Sequence, residues 1–274
     1  MNLSELLEQL SDDPHADIDL AEAALSIAVD EYPRLDIPRY MNQIDRLADE
    51  GRPLAARSLA DQVAALSRFL FYHVGFRGNR QHYYDPRNSY LNEVLDRRTG
   101  IPISLSLITL AIGRRWGLAI HGVALPGHFV VMAENHGERI VFDPYHQGEL
   151  LDTTDCEHLV LNSAGIEMSL GSLYDLEPAS PAAIVTRVLN NLKGCYLRLR
   201  DFPRAIRVIQ RLRQITPDDH VQLRDLGACW MRLGHPGRAI DPLEMYLRRK
   251  PDGEDHEAVI KLLQAARSEL AQWN

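Results

Sequence analysis

Two residues near the middle of the chain have the types and setting for acid–base chemistry. His128 follows Pro126-Gly127 at the start of an expected strand, and Asp143 ends the next one. On adjacent antiparallel strands they fall side by side. An aspartate that accepts from one imidazole nitrogen fixes the ring's tautomer and leaves the other nitrogen free to act as a base. A nucleophile at the N-terminus of the buried helix expected over residues 103–116 would complete a triad, because the helix dipole lowers a thiol pKa and attracts an anion there. No cysteine lies on that segment. Ser104 and Ser106 are the hydroxyls in its first turns, and Ser104 is the candidate substitute nucleophile. It lies two residues beyond Pro102, about 200° round the helix from it. As plain structural residues, His128 would serve a hydrogen bond and Asp143, before Pro144, would serve a turn.

Other chemistries find little support. His121, His128, His136 and His146 are dispersed over strands and loops without the spacing of HExxH, so no metal site is expected. Neither a Walker A motif nor GxGxxG is present, so no nucleotide and no cofactor are expected. The net charge of −8 argues against nucleic acid as a partner. Arg198, Arg200, Arg204, Arg207, Arg211 and Arg213 form a local basic patch, read as a solvated helix face or part of a groove for an acidic peptide. Cys156, Cys195 and Cys229 show no CxxC spacing and are read as buried small residues in a reducing cytoplasm. No signal peptide and no apolar run of membrane-spanning length is seen.

The elements that must position these residues follow from periodicity. Helical patterns run over residues 17–29, 37–48, 59–74 and 90–97. Pro102 sits in the first turn of the segment 103–116, which is apolar on nearly all sides and therefore central, and Gly117 caps it. Residues 118–125, 128–133 and 139–143 read as an antiparallel meander, and 152–165 as a mixed helical or loop stretch. Residues 178–181 form the expected linker. Beyond it Leu192, Tyr196, Ala205, Ile206 and Pro217 recur as Leu226, Trp230, Ala239, Ile240 and Pro251, each 34 residues on. That is the period of the tetratricopeptide repeat, a stacked helix–turn–helix unit. The expected division is 1–180 for the core with its N-terminal helices and 181–274 for two repeats and a capping helix.

The segment from Gly100 to Gly117, followed by His128 and Asp143, resembles the core of the transglutaminase-like superfamily. Residues 84–89 (Tyr-Asp-Pro-Arg-Asn-Ser), 94–102 (Val-Leu-Asp-Arg-Arg-Thr-Gly-Ile-Pro) and 126–129 (Pro-Gly-His-Phe) resemble the bacterial SirB-like proteins, which join such a core to C-terminal tetratricopeptide repeats. The resemblance implies an α+β, transglutaminase-like (papain-like) core with a central buried helix and antiparallel sheet, followed by an all-α repeat region. It also implies a cleft bordered by Pro102, Tyr84, Asn88 and Ser89. In the superfamily a Gly-x-Cys opens the central helix; here its third position is Pro102, which has no nucleophile. The implied role is a non-catalytic binding or regulatory protein in the cytoplasm that holds a protein or peptide partner. The competing expectation is a hydrolase or acyltransferase that uses His128 and Asp143 with a non-cysteine nucleophile or an activated water.

Overall fold

A computed structural model describes residues 2–53, 58–250 and 253–272. The repeat position Pro251 lies outside these residues. The chain falls into two compact units. One holds residues 14–188, and the other joins residues 3–13 to residues 189–274. The first helix, α1 (Leu3–Asp12), therefore belongs with the C-terminal helices, not with the core as its position in sequence had suggested.

The core unit begins with α2 (Leu20–Ala28), whose first turn is capped by Asp19; its carboxylate accepts from the Ala21 and Glu22 amides. Next comes α3 (Ile37–Gly51), with Pro38 in its first turn and Asp36 as cap. Then α4 (Leu59–Ser67) widens into a π-helical turn over Arg68–His73, so the single helix expected over 59–74 changes pitch midway. A two-residue strand β1 (Arg77–Gly78), a 3-10 turn (Pro86–Asn88) and α5 (Leu91–Arg97) lead to β2 (Thr99–Gly100), which pairs in parallel with β1.

The central helix α6 (Pro102–Arg115) is buried from Pro102 through Gly113. It packs against a four-stranded antiparallel meander: β3 (Ala119–Leu125), β4 (His128–Asn135), β5 (Glu138–Asp143) and β6 (Glu149–Leu151). Pro126-Gly127 makes the β3–β4 turn with Gly127 at φ +71°, a conformation that favours glycine. Strand β4 is buried over residues 128–133 because both of its faces are covered. Ile120 of β3 meets α6 at Gly113. On the other face Val130, Met132, Val141 and Leu151 form a cluster with Cys156 and Val160 of α7 (Thr153–Ala164). The mixed stretch 152–165 is thus a true helix, capped by Asp152 at one end and by Gly165 at φ +67° at the other.

The unit boundary falls inside α8 (Pro181–Arg198). Helices α9 (Phe202–Ile215), α10 (Val221–Arg232), α11 (Pro236–Arg249) and α12 (His256–Ala271) follow. The repeat positions Leu192, Tyr196, Ala205, Ile206, Leu226 and Ala239 are all buried, while Trp230 and Ile240 are half-buried. Gly227 on α10 lets α11 approach closely: a Cβ there would stand 2.5 Å from the Leu243 side chain. Lys193 on α8 ties to Gln222 and Asp225 on α10, each at 2.9 Å. The N-terminal α1 packs its Leu3, Leu6, Leu7 and Leu10 face into this unit, and Ser4 accepts from Arg211 of α9 at 2.9 Å. Within the basic patch, Arg204 pairs with Asp201 and Arg211 with Ser4 and Gln214.

Candidate functional site

Register brings the two expected residues together. Strand β4 pairs with β5 so that Val131 faces Phe142. The paired stretch runs from Asn135–Glu138 to Val131–Phe142, and just beyond its end the His128 and Asp143 side chains meet. The His128 Nε2–H donates to Asp143 Oδ2 at 2.7 Å. Both groups are buried, Asp143 completely. With Nε2 committed, Nδ1 is the His128 nitrogen left for other chemistry.

A third residue, His146, joins this pair. Pro144 opens a 3-10 turn directly after Asp143, and three residues on the chain comes back so that His146 Nδ1–H donates to the same Asp143 Oδ2 at 2.7 Å. Asp143 Oδ1 caps the turn by accepting from the Tyr145 amide at 2.8 Å. The expected dispersal of histidines therefore fails for two of the four: His128 and His146 stack with ring centroids 6.0 Å apart. His121 lies by Glu134 and His136 sits in the β4–β5 turn, both apart from the cluster. Burial pushes the Asp143 carboxyl up, but the bonds and charges of the two imidazoles outweigh it and hold it well below the usual carboxylate range. In return the hydrogen bond to Asp143 raises the His146 pKa against the opposing effect of its partial burial. His128 is nearly closed off, whereas the His146 side chain is 30% exposed. It lines a groove of about 600 Å³ with Ser67, Arg68 and Tyr72.

The segment just before α6 is linked to this cluster through Asn79 and Tyr145. Gly100, just before the helix, accepts from the Asn79 amide at 2.9 Å, and Asn79 accepts from the Tyr145 hydroxyl at 3.2 Å. The Tyr145 ring meets His128 edge-on with centroids 6.0 Å apart. Pro102 occupies the first turn of α6 and is buried. Ser104 is not available as a nucleophile. Its hydroxyl is fully buried, donates to the Asn88 carbonyl at 2.6 Å and accepts from the Ile101 amide at 3.0 Å. It is a helix cap that also fastens the preceding loop.

Asn88 is likewise structural in its contacts. Its side chain donates to the His82 carbonyl at 2.7 Å and accepts from Asn79 at 3.1 Å. Ser89 is buried, and its hydroxyl has no hydrogen-bond partner among the described residues. Tyr84 is exposed and packs its ring on Tyr83, which in turn touches Tyr145. The expected set thus divides. His128 and Asp143 meet; Asn88 and Ser104 support one another; Tyr84 stands at the rim. His146, Tyr145 and Asn79 were missed. The signal for His146 was the Asp-Pro-x-His run, in which a proline-started turn returns the fourth residue to the first.

The transglutaminase-like superfamily pattern matches residues 38–190, and the tetratricopeptide repeat pattern matches residues 192–264. The chain belongs to the transglutaminase-like superfamily, as a SirB-like member that carries tetratricopeptide repeats. It is 36% identical over 248 residues to a UPF0162 protein of Xylella fastidiosa, covering 88% of this chain and 87% of that one. It is 26% identical to Protein SirB1 of Salmonella typhimurium over 85% of this chain and 88% of the relative. Among solved structures, menin aligns over 97% of this chain and 70% of its own, with 11% identity and a TM-score of 0.48. No helix among the described residues is long and apolar enough to cross a membrane.

Proposed function

We propose that this protein is a binding and regulatory protein of the bacterial cytoplasm, built on a transglutaminase-like core that no longer performs acyl transfer. One observation carries the reading. The start of α6, where the superfamily's thiol stands, offers a proline; the candidate substitute Ser104 is spent on Asn88 and Ile101, and Ser106, one turn on from the proline, is fully buried. The remaining polar groups still present an ordered groove, lined by Arg68, Tyr72 and a His146 that the buried Asp143 holds in place. Such a surface suits a polypeptide, and repeats of the kind in residues 192–264 commonly present a helical surface to protein partners.

A second reading, a hydrolase or acyltransferase that activates water, draws on the Asp143-oriented His128, whose Nδ1 remains for base catalysis. The two are separated by assaying the full-length protein and His128→Ala on a nitrophenyl ester and on a glutamine–amine transfer pair. The binding reading predicts equal, background rates for both proteins. A rate that depends on His128 would overturn it in favour of the enzyme.

A further inference from the structure

Three donor atoms converge where the superfamily pattern calls for two. His128 Nε2, Asp143 Oδ2 and His146 Nδ1 all lie within 4.8 Å of one another. Each nitrogen is 2.7 Å from the one oxygen. Two imidazoles and one carboxylate are a borderline donor set, suited to Zn²⁺ and the other divalent first-row transition metals and poorly suited to Ca²⁺ or Mg²⁺. We propose that His128, Asp143 and His146 bind a single divalent transition-metal ion of the Zn²⁺ type, with a further coordination position open toward the groove beside His146.

The surroundings meet the demands of such a site. Ligating carboxylates need their other oxygen held, and Asp143 Oδ1 accepts from the Tyr145 amide at 2.8 Å. The turn that carries His146 is itself braced, because the Tyr145 hydroxyl donates to Asn79. Access comes from one side: His128 and Asp143 are closed in, while His146 is partly exposed to a groove of about 600 Å³. Three protein ligands with one open side is the arrangement of sites that keep a place for water or an incoming ligand, in contrast to closed four-ligand structural sites. With metal–ligand bonds of about 2.0–2.2 Å, the edges of a tetrahedral site are about 3.3 Å. Each nitrogen then has to withdraw from the oxygen by about 0.6 Å, and the two nitrogens, within 4.8 Å of one another, have to close toward about 3.3 Å, shifts of up to about 1.5 Å that side-chain torsions can supply. The inference rests on these three residues and is independent of whether the protein turns over a substrate.

The test uses the full-length protein stripped with a chelator and titrated with Co²⁺ and then Zn²⁺, read by the visible d–d bands of Co²⁺ and by calorimetry. One equivalent should bind saturably, and Zn²⁺ should displace Co²⁺. His146→Ala, at a partly exposed position, should weaken binding about 100-fold or more, beyond the 10–100-fold typical of outer-shell losses. His121→Ala should bind as the wild type does. Circular dichroism establishes that each variant is folded, and His146→Gln replaces His146→Ala if that variant is not. Absence of saturable uptake at one equivalent overturns the site, as does wild-type affinity in a folded His146 variant. Because binding is read without turnover, neither result bears on the polypeptide-binding reading.

Discussion

Asp143→Asn tests the central network at its most connected atom. The carboxylate is fully buried, and both of its oxygens are used: Oδ1 by the Tyr145 amide, Oδ2 by His128 and His146. Asparagine keeps the volume and can keep the bond to Tyr145. Its amide nitrogen, however, would face two ring nitrogens that now donate. At least one imidazole must exchange its tautomer, and two charge-assisted bonds, worth about 1.5–3 kcal/mol each, are lost. Part returns if the amide donates to a bare ring nitrogen, so the expected cost is about 2–4 kcal/mol. The 3–5 kcal/mol typical of leaving a buried partner unpaired is an upper bound of about the right size. His146→Ala should cost less, about 1–2 kcal/mol, because its ring is partly solvated and Asp143 retains His128. The assay is urea unfolding followed by Trp116, whose indole donates to the Ala48 carbonyl at 2.7 Å inside the core unit. Replacing Trp230 and Trp273 by Phe isolates this signal. With a slope of about 1–3 kcal/mol per molar, the midpoint should fall by about 1–2 M. A loss under about 0.5 kcal/mol, the level of an ordinary surface change, would refute the claim that this network holds the site together.

Three further outcomes follow from the same geometry. The folded Asp143 carboxyl titrates below its unfolded value, so its stabilisation is complete above about pH 4 and is lost as pH falls through the folded value. Urea midpoints measured down the acid limb should show this slope in the wild type and a shallower one in Asp143→Asn. His146 has the opposite sign: its raised pKa stabilises the fold below about pH 6.5 and the effect is lost as pH rises through the folded value, a slope that His146→Gln should remove. Gly100→Ala should destabilise by about 1–3 kcal/mol in the same unfolding assay, since its Cβ would stand 2.6 Å from Ser104 Oγ and push that hydroxyl off Asn88. Cys156 and Cys229, pushed up to about 11 by burial, should resist thiol labelling near neutral pH until the protein is unfolded, as mass spectrometry of labelled native protein would show.

The parts legible in the sequence were those with strong local signatures. The segment 103–116, apolar on nearly all sides, announced a central helix, and Pro126-Gly127 marked the β3–β4 hairpin from which β4 starts at His128. The 34-residue echo located the repeats: Leu192 and Leu226, and Ala205 and Ala239, are buried in both copies, while Trp230 and Ile240 are half-buried where Tyr196 and Ile206 are buried. What escaped depends on tertiary contacts or on short turns. His146 reaches Asp143 through a 3-10 turn, a spacing that a search for helical ligand pairs passes over. Ser104 has the right type near the right place, yet its environment commits it to capping. Leu3, Leu6, Leu7 and Leu10 carry a helical stripe, but nothing local indicates that its partner is α9, some 200 residues away. Strand β6 has three residues, too few for alternation to register.

The central claim is that the core keeps the oriented imidazole of a transglutaminase-like site and lacks only the nucleophile. Pro102→Cys puts a thiol back at the start of α6, and the pH dependence of its alkylation by iodoacetamide is the most direct measurement. The introduced thiol should titrate within the range of about 3.5–7.5 seen at helix N-termini beside imidazoles, against about 8.5 for a free cysteine. For a pKa of about 6, half is thiolate at pH 6 against about 0.3% of an ordinary thiol; lower intrinsic nucleophilicity leaves a net advantage of about tenfold. His128→Ala in the same background should abolish that advantage. A thiol that titrates near 8.5 and is indifferent to His128 would contradict the account.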